Sequence, residues 1–292
     1  MLIGSAFMTR ISQLTFGFIF LCLGQGCAIQ KPISNEAWSS LTVGDYKLAY
    51  MCAGSIRPTL ILESPSGVSN EQAYKNILPA LTARHRTCFV ERLGLGKSDQ
   101  VPSGLTQTTK DYAVELSALL DKVAPRERVV VVGYSFGGMT ARYFAAVHPE
   151  RVAGLILIDA AHEDWLIDAK HRMQPDDWAK MQGILDWFMK NLGHNYWDSQ
   201  FEVAAVSLPL SMPVRIISRG MPFQRIRKAN LSEDGFRIYN ESHDTQQFKL
   251  LTVTNNTSRV IAKESEHFIV DSEPEIVLGE IEKLYSQIQE AR

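Results

Sequence analysis

The chain lacks the patterns that would tie it to several large classes of protein. Neither G-x-G-x-x-G nor G-x-x-x-x-G-K-[ST] occurs, so no sequence-encoded cradle for nucleotide phosphates is present. No cysteine and histidine cluster has metal-ligand spacing, and neither a metal nor any other cofactor is expected. Charge of one sign is not in excess: 30 Lys and Arg against 32 Asp and Glu leave −2, with no field to draw nucleic acid. Internal repeats and low-complexity tracts are missing too, which removes solenoids and disordered scaffolds. What remains is an ordinary globular composition, 45% hydrophobic over 292 residues, with ample core for one large α/β domain or two small ones.

The amino terminus stands apart. Arg10 precedes an apolar stretch from Leu14 to Leu23, too short for a membrane span but suited to the core of a signal peptide. Gly26-Cys27 resembles the end of a bacterial lipoprotein signal, although Leu23 stands four residues before the cysteine where the pattern wants three. Residues 1–27 are therefore expected to be an export leader, with Cys27 the candidate lipid attachment site. The protein is expected in the periplasm, anchored to a membrane or secreted. Of four cysteines, Cys22 leaves with the leader and Cys27 lies at the cut, so Cys52 and Cys88 remain as a pair. If the strands that carry them are antiparallel neighbours, a disulfide between the two is feasible.

Downstream, hydrophobic patterning alternates between strand and helix with short connections, which predicts a mostly parallel sheet wrapped by helices. Trp38 to Cys52 reads as a hairpin turning at Gly44-Asp45. Strands are predicted at 59–62, 87–91, 129–132, 155–159, 214–218 and 258–262, and one helix over Gln72 to Arg84. Between Ala160 and Met212 the alternation breaks. That segment looks helical and holds Trp165, Trp178, Trp187 and Trp197, four of the five tryptophans.

The most informative residues are Gly133-Tyr134-Ser135-Phe136-Gly137, between the valine strand and a helix-like stretch. A G-x-S-x-G at a strand-to-helix junction forms a turn so tight that the serine hydroxyl stands clear at the strand end. Glu91-Arg92-Leu93-Gly94-Leu95-Gly96-Lys97-Ser98, Glu63 to Gly67 and Ser265-Glu266-His267-Phe268 complete a set that resembles the α/β-hydrolase family, over essentially everything from Trp38 onward. The family usually has Asp where Glu91 stands, His-Gly where Glu63-Ser64-Pro65 stands, and Gly where Glu266 stands. The resemblance implies an eight-stranded, mostly parallel sheet, with a core over 38–159 and 213–292 and a helical lid over 160–212 after the sixth strand. It also implies that the strands of Cys52 and Cys88 are antiparallel neighbours, which favours the disulfide.

Serine needs a base within hydrogen-bond reach and an acid to orient that base. In this fold the order is Ser, acid, His. That order leaves His243 and His267; His267, after the last strand, is expected to be the base, whereas His243 in the polar run Glu241-Ser242-His243-Asp244 reads as a solvated surface residue. For the acid, Asp159 at a strand end is preferred, with Glu233 and Asp234 as the alternative. The oxyanion donors are expected to be the backbone N–H groups of Phe136 and Ser66, with Gly67 in reserve, because Pro65 has none. These roles imply an esterase-like serine hydrolase acting on a small or medium apolar carboxylic ester, lactone or related acyl compound. Two alternatives are an aminopeptidase, whose lid would offer Asp164, Asp168, Asp176 and Asp177 to an amino terminus, and a non-catalytic ligand-binding homologue.

Overall fold

The computed structural model describes residues 38–206 and 209–291; the expected leader, with Cys22 and Cys27, lies outside the described residues. Eight strands follow one another as β1 (Trp38–Val43), β2 (Tyr46–Ala53), β3 (Leu60–Glu63), β4 (Thr87–Val90), β5 (Val129–Tyr134), β6 (Val152–Ile158), β7 (Val214–Arg219) and β8 (Thr257–Ala262). They form one sheet in the order β1-β2-β4-β3-β5-β6-β7-β8. The β1/β2 and β2/β4 pairs are antiparallel; every other pair is parallel.

The helices explain why the central strands are apolar throughout. They are α1 (Asn70–Tyr74), α2 (Leu78–Arg84), α3 (Thr109–Val123), α4 (Phe136–Val147), α5 (Trp165–Arg172), α6 (Pro175–Leu192), α7 (Tyr196–Ala204), α8 (Glu233–Lys249), α9 (Ile269–Ser272) and α10 (Pro274–Glu290). Every residue of β5 and β6 is buried, as a strand covered on both faces requires. Side chains alternate between two cores: Val129, Val131, Leu155 and Leu157 join Leu116 and Leu120 of α3 and Phe144 of α4. Val130, Val132, Ile156 and Ile158 join Leu78 and Leu81 of α2 and Ile281 and Leu284 of α10.

The single helix expected over 72–84 is two, because Pro79 stands at the start of α2 and lacks the N–H that a continuous helix would use. Helices α5, α6 and α7 fall between β6 and β7, where the alternation of the sequence breaks.

Cys52 and Cys88 face each other directly across the β2/β4 pair and are joined in a disulfide. The bridge spans 36 positions, for which loop-closure entropy gives about 3–4 kcal/mol. The double variant Cys52→Ser/Cys88→Ser is expected to lose roughly that much in urea unfolding. A loss under about 1 kcal/mol, or free thiols in the denatured oxidised protein, would refute it.

Candidate active site

Ser135 joins β5 to α4 with φ 54° and ψ −119°, a conformation that costs a residue with a Cβ about 1–3 kcal/mol. The turn closes because its flanks carry no side chain. A Cβ on Gly133 would lie 2.6 Å from the Gly137 carbonyl oxygen, and one on Gly137 would lie 2.3 Å from that of Glu63. The second approach also presses the start of α4 against the loop that carries Ser66. The Ser135 N–H donates to the Ile158 carbonyl (2.9 Å), and the Ser135 carbonyl accepts from Ala161 N–H (2.9 Å), so the elbow is tied to the end of β6.

Asp159 is the next residue after β6, also at positive φ (39°). Its Oδ2 lies 2.6 Å from His267 Nδ1 and its Oδ1 accepts from the Arg219 N–H at 3.2 Å. The loop holding His267 is fixed from beneath: the Tyr134 hydroxyl, from within the elbow, donates to the His267 carbonyl at 2.6 Å. Ser265 Oγ bonds Ser272 Oγ (2.6 Å) and Glu273 (2.5 Å), which cinches the same loop against α9. Among the described residues no hydrogen bond links the Ser135 hydroxyl to His267, although both face one cavity. Such contacts commonly tighten only when substrate arrives.

Electrostatics separate the two titrating partners. Burial alone would raise the Asp159 carboxyl, but the charge of His243, the hydrogen bond from His267 and the Arg219 guanidinium outweigh it and hold the group well below the usual carboxylate range. His267 is pushed down by burial, against the opposing pull of Asp159 and with the charges of His243 and Arg219. The pair therefore rests as carboxylate and neutral imidazole, the form a general base needs. The sign for activity follows. A base must be neutral, so the acid limb of kcat/KM is expected to fall below about pH 6.5, the ordinary histidine value. A pH–rate profile on an ester with no titrating group checks this; a midpoint at or above that value would contradict it.

His243 is not the solvated surface residue its sequence context suggests. It is buried in α8 with Nε2 3.6 Å from Asp159 Oδ2, and it lines the cavity. Asp159, His243 and His267 thus bring three ligand-type atoms within 4.8 Å of one another. A resident cation already faces that carboxylate, since the Arg219 guanidinium lies 3.8 Å from the same oxygen. Glu233 and Asp234, the alternative acids, stand at the start of α8 in surface pairs with Arg227 and Arg237 and do not approach His267.

Phe136 opens α4, where the first N–H groups have no intrahelical acceptor. Ser66 and Gly67 line the cavity, and the Ser66 hydroxyl shares a 2.5 Å hydrogen bond with the Tyr196 hydroxyl of α7. Beneath them Arg92 and Glu63, both buried, pair at 2.9 Å, and the guanidinium packs over the rings of Tyr112 (4.7 Å) and Phe136 (5.4 Å). Glu91, standing where Asp is usual, accepts from the N–H groups of Asn70 (2.7 Å) and Glu71 (3.0 Å) and so anchors the start of α1.

The cavity holds about 430 Å³. Trp165 of α5, Met181, Ile184, Leu185 and Phe188 of α6, and Tyr196 of α7 contribute apolar lining; Ser135, Ser66, His243 and His267 contribute polar groups. Trp178 and Trp197 pack on each other instead, with ring centroids 5.8 Å apart and Lys170 alongside.

An eight-stranded sheet of this order, with a strained serine at the β5–α4 junction and an aspartate–histidine pair at the ends of β6 and β8, defines an α/β-hydrolase fold. A family model described as alpha/beta hydrolase fold matches residues 60–201, just under half of the chain, in agreement with that fold. It is 31% identical over 114 residues to a cis-3-alkyl-4-alkyloxetan-2-one decarboxylase from Shewanella oneidensis, a match covering 39% of this chain and 35% of that protein. It is 33% identical over 90 residues to a pimeloyl-[acyl-carrier protein] methyl ester esterase from Edwardsiella ictaluri, covering 30% and 31%. The chain thus spans about a third of the length of these relatives. A solved thermophilic esterase from Thermogutta terrifontis matches with a TM-score of 0.60 at 17% identity, over 86% of this chain and 98% of that one, a likeness of fold.

Proposed function

We propose that the protein is a serine hydrolase that cleaves a small or medium apolar carboxylic ester, lactone or related acyl compound through an acyl-enzyme. One observation carries this reading: the 2.6 Å Asp159–His267 contact opens onto the same cavity as the hydroxyl of the strained Ser135. In the proposed sequence Ser135 Oγ attacks the acyl carbonyl while its proton passes to His267 Nε2, and Asp159 holds Nδ1–H and balances the imidazolium. The carbonyl oxygen, now negative, sits between the N–H groups of Phe136 and Ser66 (Gly67 in reserve), each such donor contributing about 3–4 kcal/mol to barrier lowering. The leaving alcohol takes the proton back from His267. Water, deprotonated by the same imidazole, then attacks the acyl-enzyme and releases the acid and Ser135.

The wall built by α5 to α7 supports an apolar acyl group, and this insertion is proposed to act as a lid over the acyl site. The aminopeptidase alternative lacks support at the same place, since no Asp or Glu among the described residues lines the cavity. Asp164 pairs with Lys249 (2.6 Å), Asp168 with Arg172 (3.3 Å), Asp177 with Lys180 (3.5 Å) and Ser232, and Asp176 is exposed. The relatives' names include a methyl ester esterase and an alkyloxetan-2-one decarboxylase, and a methyl ester and an oxetan-2-one each carry an acyl carbonyl. A chain-length series of p-nitrophenyl esters beside amino-acid p-nitroanilides tests the reading: turnover is expected for the esters alone. Preference for the anilides would install the aminopeptidase, and silence towards both, together with no fluorophosphonate labelling, would leave the ligand-binding homologue.

Export belongs to the same proposal, because a disulfide suits an oxidising compartment. Fractionation of cells expressing the full chain and Cys27→Ser is expected to find the native protein in the membrane fraction and the variant released from it. Native protein remaining in the cytosol would remove export.

A further inference from the structure

We propose that Arg225 selects substrates whose leaving alcohol carries a negative charge, a carboxylate or a phosphate. The inference rests on the serine-hydrolase reading and adds the class of alcohol. Among the described residues that line the cavity, Arg225 is the only one with a permanently charged side chain, and none is a carboxylate. Its neighbours behave differently. Arg219 pairs with Asp244 (3.2 Å), Arg227 with Glu233 (2.5 Å), and Arg237 with Glu241 (2.8 Å) and Asp234. For Arg225 the described residues supply no acid and no side-chain hydrogen bond; its guanidinium packs on the Phe268 ring, 5.6 Å from the centroid. A guanidinium held on an aromatic face at the rim keeps its N–H edge free for a bidentate anion.

Its position gives the side of the substrate. Phe268 directly follows the base, and Phe223, two residues before Arg225, packs on both His267 (5.2 Å) and Phe268 (5.8 Å). Arg225 therefore stands one ring away from the imidazole that must hand a proton to the leaving oxygen. The acyl chain is assigned to Phe188, which approaches the oxyanion loop so closely that a Cβ on Gly67 would lie 3.0 Å from it. An apolar acyl group at the oxyanion loop and an anionic alcohol beside the base make an amphiphilic ester the substrate this proposal expects.

The test compares 3-carboxy-4-nitrophenyl hexanoate with 4-nitrophenyl hexanoate, and hexanoyl-glycerol 3-phosphate with monohexanoylglycerol, in native protein and in Arg225→Gln and Arg225→Lys. Turnover of the neutral esters reports the hydrolase reading; the charged-to-neutral ratio of kcat/KM reports this one. The native protein is expected to favour the charged member of each pair by about three- to tenfold, the range for a rim ion pair strengthened by fork geometry. In Arg225→Gln the preference should vanish through a higher KM for the charged ester alone, Arg225→Lys should restore part of it, and 0.5 M salt should weaken it. A carboxylate effect without a phosphate effect assigns hydroxy-acid esters, and the reverse assigns phosphorylated alcohols. Equal loss on charged and neutral esters, or no native preference, overturns the proposal. Should no ester turn over, the fluorescence of Trp165 and Trp187, which line the cavity, can be titrated with octyl phosphate and octanol instead. Octyl phosphate should bind more tightly to native protein and lose that advantage in Arg225→Gln; equal binding by the native protein overturns the inference there as well.

Discussion

Ser135→Ala is expected to lower kcat on any ester substrate by roughly five orders of magnitude or more and to abolish fluorophosphonate labelling. The size follows from cooperation within the site. Without the hydroxyl, His267 has no proton to accept and Asp159 no imidazolium to balance, so removing one group forfeits what all three supply together. Affinity for substrate should change little, because the apolar wall and the oxyanion donors are untouched. Stability offers an internal control. The φ of 54° at position 135 strains any residue with a Cβ, so alanine should leave the unfolding free energy within about 0.5 kcal/mol of the native value. Ser135→Gly should be as inactive as the alanine variant yet more stable than it by about 1 kcal/mol, since glycine adopts that conformation without strain. Urea unfolding of the three proteins reads this directly. Equal stability of the glycine and alanine variants would mean the elbow stores no strain. Residual labelling of Ser135→Ala would place the nucleophile elsewhere.

The elbow and most of the sheet were legible in the sequence because each is a local pattern. Four consecutive β-branched valines running into a glycine pattern as a strand covered on both faces, and glycines two before and two after a serine give a turn that other residues would block. His267 was legible through chain order and its position after the last strand. The carboxylate that meets His267 was not, since order alone admits both Asp159 and the Glu233/Asp234 pair. Only the packing of β6 beside β7 brings the end of one strand under the loop that follows β8.

His243 escaped for a different physical reason. Its run of polar neighbours resembles a solvated face, yet α8 turns Ser242, His243, Gln246 and Gln247 inward. The interior it meets is itself polar: Gln247 Nε2 donates to the Ala160 carbonyl at 2.7 Å, the Ser218 hydroxyl donates to Gln247 Oε1 at 3.1 Å, and His243 approaches Asp159. Hydropathy equates polar with exposed, and that equation fails where a helix packs against a buried carboxylate such as Asp159. The contact of Tyr196 with Ser66 was equally invisible, being a pairing of residues 130 positions apart.

Replacing Asp159 by Asn is expected to lower kcat/KM by about 10³–10⁴-fold, with a smaller loss of stability. Asparagine keeps the shape and can still accept the Arg219 N–H through its carbonyl oxygen. Its amide, however, can offer N–H to His267 Nδ1, which then acts as acceptor and leaves the proton on Nε2, facing the serine with a hydrogen where a lone pair is needed. The imidazolium formed in the transition state also loses its counter-charge in a buried site, where that charge is strongest. Two further side chains lose the same charged partner. Arg219 retains Asp244 at 3.2 Å, but His243 keeps only Asp244, 3.7 Å from its other ring nitrogen, so folding should weaken by roughly 1–3 kcal/mol. Urea unfolding of Asp159→Asn therefore has to accompany the kinetics, and a folded variant with the full kinetic loss is the expected pairing. A folded variant working within about tenfold of the native rate would remove Asp159 from the mechanism. Glu233→Gln and Asp234→Asn supply the contrast, since each breaks only a surface ion pair, worth about 0–1 kcal/mol, and should leave turnover near the native value. A large kinetic loss in either, with Asp159→Asn near normal, would move the orienting carboxylate to the start of α8 and require the loop before that helix to reach His267 in the working enzyme.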